Sequence, residues 1–208
     1  MEITENAALI VVDVQQGFDE MASSIPRNNP AADDNIASLI AAWQDTGRPV
    51  VFVRHDSTKP DSPLRPGYPG NDFKEYVEQR RGLGKGPELF ITKTVNSAFY
   101  GTPDLDAWLK ASGIDQIAIA GIQTNMCAET TARMGGNLGY DVLFAFDATY
   151  TFDQAGPFGW HLTADELSRA TAVTLHGGDF ARVVTTKELL AAAQPGGHGG
   201  PHEGHPSA

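Results

Sequence analysis

Three residues in this chain have the types that nucleophilic catalysis needs, and each follows an apolar run of strand length. Asp13 ends "ALIVVD", Lys93 ends "ELFITK", and Cys127, the single cysteine, stands six residues beyond "QIAIAG". A thiol at the start of a helix is favoured as thiolate by the unpaired backbone amides there and by a nearby ammonium. A carboxylate beside it can take up and return the proton. This grouping predicts a Cys127 midpoint of ionisation below the roughly 8.5 of a free thiol. Each residue also has an ordinary reading: Asp13 as a cap, Lys93 as a charge at a strand end, Cys127 as a small buried hydrophobe. Glu129, in the first turn of the same helix, would oppose ionisation if it faced the thiol.

The elements that must bring these residues together are legible as alternating patterns. Continuous Val, Ile, Leu and Phe runs at residues 8–13, 49–54, 88–93, 116–121, 141–147 and 181–186 read as six strands buried on both faces, with helical segments between them. That alternation predicts an α/β fold, a parallel sheet with helices on both sides. In "AADDNIASLIAAWQDTG", Ile36, Leu39, Ile40 and Trp43 share one helical face and Gly47 stops the helix. Thr102 is read as a helix cap with Pro103 in the first turn. Thr163 with Glu166, and Thr185 with Glu188, have capping-box spacing. In an open parallel sheet, functional groups collect outside the carboxyl ends of the strands, where all three chemical residues fall.

At 208 residues, with 41% hydrophobic and 20% charged residues, the composition fits one globular domain over residues 1–193. "QPGGHGGPHEGHPSA", residues 194–208, reads as a disordered Gly/His/Pro tail in which His198, His202 and His205 have no catalytic role. A formal charge of −11 argues against nucleic acid and anionic lipid as partners. The lack of a signal-like N-terminus, of a spanning apolar run and of any possible disulfide leads to the expectation of a cytoplasmic protein.

"ALIVVDVQQGF", "ITKTVNSAFYGT" and "IAIAGIQTNMCAETTA" together resemble the three motif blocks of the isochorismatase-like cysteine hydrolase superfamily, in the same order. The resemblance covers about residues 7–190 and includes nicotinamidase, carbamoyl amidase and isochorismatase relatives. It implies a three-layer αβα sandwich on a six-stranded, mainly parallel, Rossmann-like sheet. It also implies Asp13, Lys93 and Cys127 as catalytic residues. A cis peptide between Ile122 and Gln123 is implied as well, with the amides of Gln123 and Cys127 as an oxyanion hole. Phe18, Phe99 and the segment "TYTFDQAGPFGWHLT" would wall a substrate pocket, core packing being the alternative for the two phenylalanines.

Nicotinamidase-like members carry an Asp-x-His metal motif after the second strand. Here "VRHDST" puts His55 beside Asp56 and Ser57 where the second histidine belongs, so no metal and no cofactor is expected. His55 and Asp56 are read either as substrate contacts or as makers of loop hydrogen bonds. Isochorismatases proper often lack the cysteine, so its retention points to attack on a carbonyl. The expected activity is cleavage of a carbon–nitrogen bond in a small amide, ureide or carbamoyl compound. The alternatives are an isochorismatase-type vinyl ether hydrolase and a non-catalytic binding protein on the same fold. The resemblance further implies a homo-oligomer, dimer or tetramer, acting on a small molecule.

Overall fold

The computed structural model describes residues 1–194, so the expected tail lies, except for Gln194, outside the described residues. Strands β1 (Ala8–Val12), β2 (Val50–His55), β3 (Glu88–Lys93), β4 (Gln116–Ile122) and β5 (Asp141–Tyr150) fall where the apolar runs predict them. A short pair follows, β6 (Gln154–Ala155) and β7 (His161–Leu162), before β8 (Arg182–Val184). The helices are α1 (Gly17–Ala22), α2 (Ala32–Asp45), α3 (Glu75–Glu78), α4 (Leu105–Ala111), α5 (Glu129–Asn137), α6 (Ala164–Gly177) and α7 (Thr186–Ala193).

Six strands form one sheet in the order β3-β2-β1-β4-β5-β8, every pair parallel. Alternate residues of β1 feed two cores, as the period of two requires. Leu9 and Val11 pack with Ile36, Leu39, Ile40 and Trp43 of α2 and Leu189 of α7. Ala8, Ile10 and Val12 face the other way, toward Leu105 and Leu109 of α4, Ala132 of α5 and Leu175 of α6. The result is the three-layer αβα sandwich. Both capping boxes, at Thr163 and Thr185, are formed with their glutamates.

Helix α4 corrects one reading. Its cap is Asp104, whose side chain accepts from the Ala107 amide, and the Thr102–Pro103 bond is cis. Thr102 instead exchanges two backbone hydrogen bonds with Thr92 (3.0 and 2.8 Å), which ties the segment to the end of β3. The β6–β7 pair, inside "TYTFDQAGPFGWHLT", is a second difference, since no apolar run marks it as strand. None of the described helices is long and apolar enough to cross a membrane.

The chain order places the site. From β1 the chain builds outward through β2 to β3, then returns to lay β4 on the other side of β1 and continues through β5 to β8. The crevice at this reversal, between the carboxyl ends of β1 and β4, is where ligands bind in open α/β sheets. Asp13 ends β1 and Cys127 follows β4.

Candidate active site

Asp13, just past β1, and Lys93, at the end of β3, reach across the end of the intervening β2 and meet as an ion pair. Lys93 Nζ donates to Asp13 Oδ2 at 2.6 Å, and both side chains are wholly shielded from solvent. The Asp13 backbone has φ +52°, in the left-handed region that non-glycine residues seldom enter. Its amide donates to Val53 O and its carbonyl accepts from the Gln15 amide. This kink keeps the chain from running on as a strand. Asp13 Oδ1 is buried and has no hydrogen-bond partner among the described residues. An orphaned carboxylate oxygen is costly in a stable core. Here it lies beside the Cys127 thiol.

Cys127 lies in a wide turn, Thr124–Ala128, which precedes α5. The Ala128 amide reaches back five residues to Gln123 O (3.3 Å), as does the Met126 amide from three residues on (3.1 Å), and Met126 itself leaves helical geometry. Turns of this width recur at functional sites because they rotate a side chain off the regular helical face. The cysteine is half-buried, and one ligand-type atom each of Asp13, His55 and Cys127 lie within 4.8 Å of one another. The Ile122–Gln123 peptide just before the turn is cis.

The electrostatics overturn one expectation. Burial, and then the Asp13 carboxylate, push the Cys127 thiol well above its ordinary range, and the opposing pull of Lys93 does not compensate. The ammonium is already committed to Asp13, so the thiol meets a nearly neutral pair rather than a free cation. For Lys93, burial works against its charge, but Asp13 and then Cys127 outweigh it and hold its pKa above the normal value. The resting site is therefore Asp13 paired with protonated Lys93 beside a protonated thiol. Glu129 takes no part: it accepts from Arg133 Nε (2.9 Å) and from Thr171 Oγ1 (2.8 Å), turned toward α6.

His55 sits one strand over, in register with Lys93. Its Nδ1 lies 3.2 Å from Lys93 Nζ, so an ammonium donor makes Nδ1 an acceptor in a neutral ring. Burial and then the charge of Lys93 depress its pKa below the ordinary 6.5. Asp56, its neighbour, points elsewhere: Arg54 Nε donates to it at 2.8 Å and Asn71 Nδ2 at 3.0 Å. With Asp56 so engaged and Ser57 in the place of a histidine, these residues do not fit the Asp-x-His metal motif.

A cavity of about 770 Å³ opens over Asp13 and Cys127. Phe18, Met21, Leu64 and Met126 give it apolar walls, His55, Asn96 and Gln123 polar ones, and residues 57–64 form its roof. Phe18 is thus a wall residue, stacked on Phe152 with centroids 6.2 Å apart. Phe99 is not: it stacks on Tyr140 at 5.7 Å in the second core, so the packing alternative holds for it. The segment after β5 also stays away from the cavity lining, and its Phe158 and Trp160 are exposed and pack edge-on against each other.

Two residues that sequence reasoning passed over hold this roof. Gln15 Oε1 accepts from the His55 amide (2.8 Å) while its Nε2 donates to His55 O (3.0 Å) and Asn71 O (2.8 Å). Asn71 Nδ2 donates to Leu64 O at 2.8 Å. Both side chains are buried; a polar amide just past the carboxyl end of β1 is the signal that could have singled out Gln15, whereas Asn71, inside the long connection between β2 and β3, leaves none. Gly17 and Gly70 let α1 and the roof touch: a Cβ on Gly70 would stand 2.9 Å from Gly17 Cα and press into Pro63 O.

Residues 7–177 match the family model described as the isochorismatase domain. The chain belongs to the isochorismatase family. Among relatives of this family, the protein YrdC of Bacillus subtilis is 38% identical over 186 residues, spanning 89% of this chain and 95% of its own. Nicotinamidase 3 of Arabidopsis thaliana is 31% identical, over 88% of this chain and 86% of its own. A crystal structure of an isochorismatase-family protein from Chromobacterium violaceum superposes with TM-score 0.84 at 39% identity, covering 93% of this chain and 96% of that one. This isochorismatase-family chain is accordingly a hydrolase on the family's α/β fold.

Proposed function

We propose that the protein is a cysteine hydrolase that cleaves the carbon–nitrogen bond of a small amide, ureide or carbamoyl compound through a thioester on Cys127. The observation that carries this reading is the approach of Cys127 and Asp13 to within 4.8 Å at the floor of a cavity large enough for a small ligand. The likeness to a relative named as a nicotinamidase, an enzyme of amide cleavage by that name, supports it.

In this mechanism the thiol rests protonated, and Asp13 Oδ1, which has no other partner among the described residues, takes its proton as sulfur attacks the carbonyl carbon. Lys93 stays charged and balances the negative charge as it moves from Asp13 to sulfur. The amides of Gln123 and Cys127 donate to the oxyanion. Protonated Asp13 then gives its proton to the departing nitrogen as the carbon–nitrogen bond breaks, leaving the thioester. Asp13 next deprotonates a water molecule, which hydrolyses the thioester and frees Cys127.

The roof residues 57–64 and Phe18 select the substrate in this reading, with His55 as a neutral polar contact. The exposed Phe158 and Trp160 support assembly as a homo-oligomer, which light scattering tests. A cytoplasmic location belongs to the same proposal. The test of function is ammonia or amine release over a panel of small amides, ureas and N-carbamoyl compounds. Turnover of at least one, lost in Cys127→Ala, is expected; turnover of isochorismate alone, surviving that substitution, would replace this reading with vinyl ether hydrolysis.

A further inference from the structure

A thiol, an imidazole and a carboxylate converge beside the cavity: Cys127 from the turn after β4, His55 from the end of β2 and Asp13 from just past β1. One ligand-type atom each of Cys127, His55 and Asp13 lie within 4.8 Å of one another. Sulfur, nitrogen and oxygen donors in this combination suit zinc, whose bonds of about 2.0–2.3 Å put tetrahedral ligands roughly 3.5 Å apart. Closing the trio around an ion therefore asks for shifts of about 1 Å, within the reach of side-chain rotation. Cys127, His55 and Asp13 all line the cavity, which gives an ion a route to them.

Two further observations point to a cation-binding role. Asp13 Oδ1 is a fully buried carboxylate oxygen with no hydrogen-bond partner among the described residues. A cation already sits among these groups: the Lys93 ammonium lies 2.6 Å from Asp13 Oδ2 and 3.2 Å from His55 Nδ1. Electron pairs are thus already directed at a positive charge. Lys93 also competes: an ion bound at His55 Nδ1 displaces the ammonium from that nitrogen, while binding at Asp13 Oδ1 leaves the Asp13–Lys93 contact at Oδ2 in place.

We propose that Asp13, His55 and Cys127 form an inhibitory site for a thiophilic divalent cation such as zinc, which silences the thiol reversibly. Binding exchanges the S–H proton of Cys127 for a sulfur–metal bond, and that proton leaves to solvent. The metal blocks the nucleophile and the Asp13 oxygen together. It plays no part in turnover.

The test uses the full chain and reads binding rather than activity, so its failure is distinct from failure of the amide hydrolase reading. Cobalt(II) is titrated in and followed by the near-ultraviolet charge-transfer absorption of a thiolate–cobalt bond. Because the chain has one cysteine, that band reports Cys127 alone, whatever the tail histidines bind. The proposal expects saturation at one cobalt per chain, displacement by zinc, and protection of Cys127 from iodoacetamide that EDTA reverses. His55→Ala should weaken binding at least about tenfold, and Lys93→Met should tighten it by a similar factor. Absence of the band with undiminished alkylation at saturating metal would overturn the site. So would a band of unchanged affinity in His55→Ala, which would mean that the thiol acts alone. If Lys93→Met does not fold, the wild type and His55→Ala still decide.

Discussion

Lys93 Nζ and Asp13 Oδ2 stand 2.6 Å apart with no solvent access to either side chain, and after burial their charges are the main influence on the neighbouring Cys127 and His55. Removing one member of a buried pair leaves an uncompensated charge, which costs about 3–5 kcal/mol. Lys93→Ala should therefore both abolish turnover and lower stability by about that amount in urea denaturation. The double variant Asp13→Asn with Lys93→Met should recover most of the stability and none of the activity. Equal instability of single and double variants would mean that the pair's charges are not what the fold responds to.

The thiol next to this pair should behave as a buried cysteine until substrate arrives. Since burial and Asp13 hold its pKa up, the thiolate fraction grows only on the alkaline side, and alkylation should accelerate through pH 8 and beyond. Iodoacetamide rates across pH 5–10 measure this directly. A plateau reached below the free-thiol value of roughly 8.5 would restore the ionised cysteine that the sequence alone suggests.

How much of this was legible beforehand depends on what kind of signal each feature leaves. The central strands β1, β2 and β4 are buried along most of their length and are readable as unbroken apolar runs, whereas the edge strands β3 and β8 are only partly buried, contrary to the reading of all six as buried on both faces; Asp13 and Lys93 stand out as charges at strand ends. The thiol's ionisation is not readable, because it depends on whether Lys93 points its charge at sulfur or at Asp13. The start of α4 misled because Thr102 and Asp104 are both good caps, and the backbone pairing of Thr102 with Thr92 decides between them. Phe99 and Phe18 look alike in sequence, yet one packs on Tyr140 and the other walls the cavity, a difference set by helix packing. Glu129 was undecided for the same reason: its partner Thr171 is 42 residues away.

His55 should be neutral throughout the working range. Burial and Lys93 lower its pKa, so it gains a proton only below the ordinary 6.5, and that proton would put a second positive charge beside the ammonium. Turnover should fall as pH drops through that lowered midpoint. An imidazole NMR titration, with the His55 signal assigned by its loss in His55→Gln, should give a midpoint under 6.5. A value above it would show that Asp13 rather than Lys93 dominates the ring.

Gly70 allows the roof to lie against α1. Gly70→Ala puts a methyl group into Pro63 O and against Gly17 Cα, so the roof must lift. The expected result is a higher KM, by about tenfold, with a smaller change in kcat, since the Asp13, Lys93 and Cys127 geometry lies on other elements. A fall in kcat alone would show that the roof serves chemistry rather than binding.

In the proposed mechanism Cys127 carries the acyl group. This role is tested by intact-protein mass spectrometry of enzyme quenched during turnover of an amide identified by the release panel, alongside turnover by Cys127→Ala. A mass increase equal to the acyl fragment, mapped by peptide digestion to Cys127, is the expected result. So is a loss of several orders of magnitude in kcat for the variant, as removal of a covalent nucleophile brings. A variant within about tenfold of wild type, a barrier change of about 1.4 kcal/mol, with no adduct from any amide, would contradict that role.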